Sequence, residues 1–512
     1  MRIGVDVGGT NTDAVLMDGQ IVKAKHKSPT SPHIGDGIVN AINGVLAGAH
    51  ISAQAIKAVM VGTTQFTNAF VERRGLLPVG IIRLALPAAR GAPPLTDWPA
   101  DLVDVIGNHS CMVKGGYEFD GRYISPLDEK AVAQAARDIK KRGIKTVAIC
   151  GIFSPIKTDM EERAAEIVQD EIPDAFITLS SRIGRLGLLE RENAAIMNAA
   201  LRELSAQVVS AFKDALSRSK INAPFYLSQN DGTLMTAEFV EKYPILTFAS
   251  GPTNSMRGAA YLSGLTDALV ADIGGTTTDI GMLVKGFPRE STMAVDIGGV
   301  RTNFRMPDIL SVGLGGGSLV GTDDPMRIGP RSVGSRLTER ALVFGGDTLT
   351  TTDIAVAAGL IEIGERKRVK SLSTPFVESA LARIHSMLEE GIDRIKISAD
   401  PMPLILVGGG TILIGQDIVG AAEQIIPEHA DVANAIGASI AQVGGEIDKI
   451  YSYDRLGREE AIAQAKSHAI KTAVEAGANK ETVEIIDLDE VPLAYIPGNT
   501  VRLRVKAAGE LE

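Results

Sequence analysis

One pattern occurs twice and constrains the fold more than any other feature. Asp6–Asp13 reads DVGGTNTD and Asp272–Asp279 reads DIGGTTTD. Each copy follows an aliphatic run, precedes a second aliphatic run and closes on a glycine turn. A turn alone does not require the same Asp, Gly and Thr at the same places, so the repeat predicts a duplicated lobe. Two copies do not make a solenoid, which needs several.

The remainder of the chain is organised around these two hairpins. IGVDVGG predicts a strand ending in a glycine turn, and TDAVLMDGQIVKAKHK predicts two strands about an Asp18-Gly19 turn. Helices are expected over 35–46, 53–56, 128–141 and 159–170, with buried strands at 76–86 and 145–153. The Pro- and Gly-rich run 87–99 reads as a loop of an inserted subdomain. Residues 190–214 carry one long helical pattern, followed by a strand (PFYLSQ) and a turn at Asn230-Asp231-Gly232. From about 448, a helix over 458–476 and two strands predict a small α+β appendage. The expected division is an N-terminal lobe over 1–267 with an insertion at about 76–190, a C-terminal lobe over 268–447 and the appendage over 448–512.

A strand–glycine turn–strand offers consecutive backbone N–H groups to whatever lies over it, and threonine hydroxyls add donors. Polyphosphate suits that arrangement. Asp6 and Asp272, at the ends of the first strands, would face the same space, and Mg²⁺ takes few protein carboxylates and keeps its waters. The candidate phosphate ligands are Gly8, Gly9, Thr10, Asn11 and Thr12 in one jaw, and Gly274, Gly275, Thr276, Thr277 and Thr278 in the other. Phosphoryl transfer needs mainly positioning and charge neutralisation, which two opposed hairpins and a metal provide.

Other elements admit two readings. Gly408, Gly409 and Gly410 close an aliphatic strand, and could let an adenosine lie against the backbone or simply turn the chain. The run VGLGGGSLVG (312–321) could line the cleft or act as a hinge. Helical stretches at 250–265 and 431–445 carry small residues at helical spacing, suited to a close crossing between lobes or to core packing. Thr63, Thr64 and Asn68 could reach the cleft or cap a helix. Glu190, Arg191 and Asn193 could face substrate or serve a helix N-terminus.

Composition removes rival functions. A formal net charge of −10 argues against a nucleic-acid partner. Two cysteines, Cys111 and Cys150, and seven dispersed histidines give no metal-ligand spacing. No G-x-x-x-x-G-K-[ST] or G-x-S-x-G segment occurs. MRIGVDVGGT has no secretory leader and no segment has the apolar length of a membrane span, so a cytoplasmic setting is expected.

Hairpin, small-residue helix, second hairpin, glycine-rich strand end and second small-residue helix together resemble the superfamily of sugar kinases, Hsp70 chaperones and actin. Within it, VGTTQFTNAFVERRG, LSSRIGRLGLLERENAAIMNAAL, LSQNDGTLM, FASGPTNSMRGAA and GGDTLTTTDIAVAAG resemble the hydantoinase/oxoprolinase A family, over most of residues 1–445. The resemblance implies an α/β fold of two duplicated ribonuclease H-like lobes around an interlobe nucleotide cleft. It implies that Asp6 and Asp272 organise Mg²⁺ and act in catalysis, that the two turns bind the phosphates of ATP, and that Gly408–Gly410 approach the adenosine. It also implies an ATP-dependent hydrolase subunit that opens a cyclic amide of the hydantoin or 5-oxoproline type by phosphorylating its carbonyl. A separate hydrolytic partner subunit and an oligomeric assembly follow as expectations. A small-molecule kinase and a nucleotide-dependent switch are the alternatives.

Overall fold

The computed structural model describes residues 1–8, 11–29, 34–291, 294–303, 306–322, 326–494 and 497–511. The N-terminal lobe opens with β1 (Arg2–Val7), β2 (Asn11–Asp18) and β3 (Ile21–Pro29), then α1 (Ile34–Ala49) and β4 (Ala58–Thr63). Every residue of β4 is buried, as expected of a central aliphatic strand covered on both faces.

An insertion follows. β5 (Val79–Leu86), β6 (His109–Lys114), β7 (Thr146–Gly151) and β8 (Phe176–Leu179) form a parallel sheet in the order β6-β5-β7-β8. Its helices α2 (Glu129–Lys141) and α3 (Asp159–Glu171) bury Val132, Ile139, Ala164 and Val168 in a core of its own. An ion pair between Arg83 of β5 and Glu192, both fully buried, ties it to the next helix.

The long helix expected over 190–214 is two helices, α4 (Leu188–Ala200) and one over Arg202–Arg218, parted at Leu201. Leu77 N–H donates to the Ala200 carbonyl at 2.9 Å, which helps to occupy that helix end. β9 (Phe225–Ser228), β10 (Leu234–Thr236) and α5 (Ser250–Ser263) complete the first lobe's run.

The second lobe contains β11 (Ala268–Ile273), β12 (Thr278–Val284), β13 (Phe287–Pro288), β14 (Ile309–Val312), α6 (Thr374–Ile395), β15 (Met402–Val407) and β16 (Ala421–Ile425). Its order β13-β12-β11-β15-β16 matches β3-β2-β1-β4-β9 strand for strand. Directions match too. β1 is antiparallel to β2 and parallel to β4, and β11 is antiparallel to β12 and parallel to β15. The duplication expected from the repeat is therefore present as two lobes with the ribonuclease H-like strand order.

The second small-residue helix is shorter than the pattern over 431–445: α7 spans Ala433–Ser439, and β17 begins at Val443. The two small-residue helices cross backbone to backbone. A Cβ on Gly258 would lie 1.9 Å from the Ala433 carbonyl oxygen, and one on Gly437 would lie 1.8 Å from that of Asn254. α5 packs on strands of the second lobe, while α7 packs on β1 and β4 of the first.

The segment expected as an appendage joins the first lobe's sheet. β17 (Val443–Ser452), α8 (Arg458–Glu475), β18 (Glu484–Pro492) and β19 (Thr500–Gly509) extend it in the order β18-β19-β17-β10-β9-β4-β1-β2-β3, nine strands among the described residues. β17 meets β10 through a single parallel pair, Leu234 with Val443. Ala461, Ala465, Ala469 and Ala473 form a fully buried stripe on α8, and the core they enter also holds Met60 of β4. The stripe permits close approach: a Cβ on Gly445 would lie 2.1 Å from the Ala473 nitrogen.

Candidate active site

The two hairpins face each other across a cleft of about 790 Å³. Antiparallel register places Asp6 opposite Asp13 in the first and Asp272 opposite Asp279 in the second. The turns are built alike: Gly8 N–H donates to the Asn11 carbonyl at 3.0 Å, and Gly274 N–H to the Thr277 carbonyl at 2.9 Å. Those two N–H groups hold the turns in shape.

Asp6, Gly8 and Asn11 line the cleft from one side, and Asp272, Gly274, Gly275, Thr276 and Thr277 from the other. Gly9 and Thr10 lie outside the described residues. Thr12 and Thr278 do not line it. Both are fully buried, and the Thr278 hydroxyl donates to the Leu314 carbonyl at 2.7 Å. Thr12 is the second residue of β2 and Thr278 the first of β12, each with its side chain on the buried face, so strand alternation turns it away from the cleft.

Gly408–Gly410 line the same cleft, with different physical requirements. A Cβ on Gly408, at φ +89°, would lie 2.3 Å from Asp272 Oδ1, and one on Gly410 would lie 2.5 Å from Ile273 Cγ2. Gly409 has no atom within 4 Å of a Cβ and faces open space. Ile412 shares its turn, and Val333, Leu337 and Ile363 add apolar surface to the cleft. Gly409→Ala should leave the thermal midpoint within about 1 °C of wild type and weaken binding of an adenine nucleotide. Calorimetric titration checks the affinity, and unchanged binding would remove Gly409 from the nucleotide surface.

The run at 312–321 supports the second hairpin and reaches the cleft, which Gly316 lines. Gly316 and Gly317 N–H groups donate to the carbonyls of Gly274 and Gly275 at 3.0 and 2.7 Å. Thr351 and Thr352 hydroxyls donate to the carbonyls of Gly315 and Gly316, and Thr350 with Asp353 forms a capping box on the helix Thr351–Ala358. The TTTD segment therefore braces the turn.

Thr64 and Asn68 line the cleft, whereas Thr63 is buried. Glu190, Arg191 and Asn193 are elsewhere. Arg191 is fully buried and donates to the Arg185 and Leu186 carbonyls at 2.9 and 2.8 Å. Asn193 accepts from Trp98 Nε1 and donates to the Arg301 carbonyl, and Glu190 lies 3.4 Å from Arg301.

Several cleft residues were not singled out by the sequence. Asp13 and Asp279 ended each copy of the motif, and their mirror position across a tight hairpin is the signal that places them beside Asp6 and Asp272. Asn434 of α7 donates to Asp6 Oδ2 at 2.9 Å and to Asp13 Oδ2 at 3.3 Å. Lys27 Nζ lies 2.7 Å from Asp13 Oδ1.

Burial, with Asp13 and Asp272 nearby, pushes the Asp6 carboxyl up to about 7. Loss of hydration pushes Asp279 up to about 6, opposed by its hydrogen bond from Ser311. Asp13 and Asp272 are raised by the same cause, Asp13 against the pull of Lys27 and Asp272 against a hydrogen bond from Ser255. A site that holds four acids at such cost suits a cation. Asp6 Oδ1 and both amide atoms of Asn254 are buried without a protein partner, and Asp6 Oδ1 and Asn254 Nδ2 both lie beside Gly62. Among the described residues no three His, Cys, Asp or Glu side chains form an all-protein metal cage. The donor set therefore fits a hydrated hard cation with few protein ligands, such as Mg²⁺ beside a polyphosphate.

Comparison with known proteins gives concordant matches. Residues 2–172 match the hydantoinase/oxoprolinase N-terminal region, and residues 191–366 match hydantoinase/oxoprolinase. The acetophenone carboxylase gamma subunit of Aromatoleum aromaticum is 28% identical over 397 residues, covering 70% of this chain and 53% of its own length. The caprolactamase subunit alpha of Pseudomonas jessenii is 24% identical over 496 residues, covering 86% and 70%. The 5-oxoprolinase 1 of Arabidopsis thaliana is 24% identical over 409 residues, covering 70% and 31%. The chain thus spans about half the length of the first of these relatives and less than a third of the last. The crystal structure of the ATP-dependent caprolactamase from Pseudomonas jessenii superposes with a TM-score of 0.82 at 20% identity, covering 100% of this chain and 88% of that one. The nucleotide-free acetone carboxylase gives 0.71 at 18%, with the same coverage. Both share the fold. Among the described residues no helix is long and apolar enough to cross a membrane.

Proposed function

The chain belongs to the hydantoinase/oxoprolinase family, and on that premise we propose that it is the ATP-dependent subunit of an enzyme that activates and opens a cyclic amide. The observation that carries the reading is the matched pair of hairpins, each presenting a glycine turn and two aspartates to one cleft. The relatives named caprolactamase and 5-oxoprolinase act, by those names, on cyclic amides.

An amide carbonyl is a poor electrophile. Its oxygen would attack the γ-phosphorus of ATP, the bond from that phosphorus to the bridging oxygen would break, and ADP would leave. Water adding to the resulting imidoyl-phosphate carbon would give a tetrahedral adduct, whose collapse breaks the ring C–N bond as the nitrogen takes a proton and leaves as an amine. A second water would then release phosphate from the remaining acyl phosphate to give the carboxylate. In this chain the turn backbones of both hairpins bind and orient the phosphates, and Gly409 with Ile412 and its neighbours receives the adenosine. Asp6 and Asp272 would hold Mg²⁺, which when bound supplies charge neutralisation at the phosphates. α5 and α7 couple the two jaws so that the reacting groups approach in line.

Several relatives are named as subunits, which favours a partner that completes the hydrolysis. A screen of five- to seven-membered lactams and hydantoins for ADP release, with and without the product of the adjacent gene, tests the proposal. ADP and free phosphate with ring opening are expected. A stable phosphoester would replace the reading with a kinase, and turnover only with a ketone and bicarbonate would replace it with a carboxylase.

A further inference from the structure

We propose that Lys27 binds the distal phosphate of the nucleotide, its ammonium exchanging Asp13 for the phosphate. This rests on the ATP reading above and assigns a ligand contact that reading does not contain.

Lys27 is the single basic side chain lining the cleft among the described residues, against Asp6, Asp13, Asp272, Asp279 and Asp431. Its placement depends on an irregularity in the β2–β3 hairpin. Asp18 pairs with Ile21 and Met17 with Val22, but Leu16 pairs with Ala24, so Lys23 is the extra residue of a bulge. Beyond the bulge Asp13 faces Lys27; a regular ladder would have set His26 there. A one-residue shift exchanges the faces of a strand, so the bulge turns Lys25 and Lys27 towards the cleft side. Lys25 then reaches Asp431 across the lobe boundary at 2.6 Å. His26 packs against Gly44 of α1 instead.

The pair is built for exchange. The Asp13 side chain is 6% exposed, whereas Lys27 is 37% exposed, so the ammonium is held by a recessed partner and still meets cleft water. Asp13 also accepts from Asn434, so its carboxylate keeps a partner if Lys27 moves. In the second hairpin the corresponding Asp279 is held by the Ser311 hydroxyl, and no cation stands there among the described residues. The apolar end of the cleft and Gly409 belong to the second lobe, so a nucleotide seated there points its distal phosphate towards the first hairpin and Lys27. A phosphate entering a cleft with this many carboxylates needs positive charge beyond one divalent ion. A long flexible stem with a compact charge can supply it.

Calorimetric titration of the full chain with ATP, ADP and adenosine in Mg²⁺ tests the assignment. Lys27→Met should weaken ATP by on the order of 10–100-fold, as expected for a hydrogen bond to a charged group, and leave adenosine unchanged. Lys27→Arg should keep ATP affinity within about threefold. If Lys27 merely neutralised Asp13, the double variant Asp13→Asn/Lys27→Met would recover wild-type ATP affinity, and that result overturns the proposal. Equal ATP binding by wild type and Lys27→Met overturns it as well, while leaving the ATP reading intact. A wild-type protein that fails to bind ATP sinks that reading itself. Should Lys27→Met not fold, Lys27→Gln carries the same comparison.

Discussion

Asp6→Asn and Asp272→Asn should each lower ATP turnover on the order of 10³-fold, and Asp6→Asn should at the same time make the metal-free protein more stable. The two effects have one cause. Asp6 is buried among like charges with its Oδ1 unpaired, and its carboxyl is pushed from 3.8 up to about 7. The folded state therefore binds this proton more tightly than the unfolded chain does. Stability from this group is fully present below about pH 4 and is lost as pH rises through about 7. Asparagine keeps the shape and removes the charge, so above pH 7 the gain approaches a ceiling of about 4 kcal/mol at 1.36 kcal/mol per unit. Melting curves between pH 4 and pH 8 without divalent metal check this: the wild type should lose stability with rising pH more steeply than the variant. Turnover within threefold of wild type in both variants would remove the proposed metal role. Activity and stability are opposed at these aspartates, as at sites that hold charge for a ligand.

The second large effect is expected at the helix crossing. Gly437→Ala should lower the thermal midpoint by on the order of 5–10 °C and weaken nucleotide binding. Its Cβ would lie 1.8 Å from the Asn254 carbonyl oxygen and 2.9 Å from the Gly258 nitrogen, all backbone atoms without rotamers to adjust. Overpacking of this kind costs about 1–3 kcal/mol where side chains yield, and more where backbones must part. Asn434, which fixes Asp6, sits one turn earlier on the same short helix, so displacing α7 also disturbs the metal carboxylate. Differential scanning calorimetry with ATP titration reads both consequences. A midpoint within 1 °C of wild type would show that the crossing opens freely.

The jaws were legible because the sequence states them twice. An identical pattern of Asp, Gly and Thr cannot be explained by turn propensity alone, and strand alternation then gives the cleft-facing aspartates. The inward threonines were misassigned by the same logic applied without register: Thr12 and Thr278 belong to the second strands, beyond the turns. Lys27 could not be read at all, because its approach to Asp13 depends on a bulge at Lys23 that no local pattern marks. Arg191 and Asn193 admit two readings from sequence, facing substrate or serving a helix N-terminus, because both lie at the start of a helical pattern. They instead satisfy carbonyls and an indole N–H where the insertion meets the lobe. The segment 448–512, expected as an appendage, instead extends the first lobe's sheet, because pairing with β10 is a long-range choice, fixed by one ladder pair and an alanine stripe whose partners are far away in sequence.

That last strand arrangement bears on how the protein is made. β1 and β19 lie in one sheet, although residues 2–7 leave the ribosome long before residues 500–509. The second lobe's sheet draws on residues 268–425 and can close while translation continues. The first lobe, begun earlier, must wait with the edge of β10 uncovered and Met60 of β4 short of its core partners until β17, α8 and β19 arrive. Later synthesis thus finishes the earlier domain, and an exposed strand edge during that interval is where a nascent chain would recruit a chaperone or pair wrongly with a neighbour.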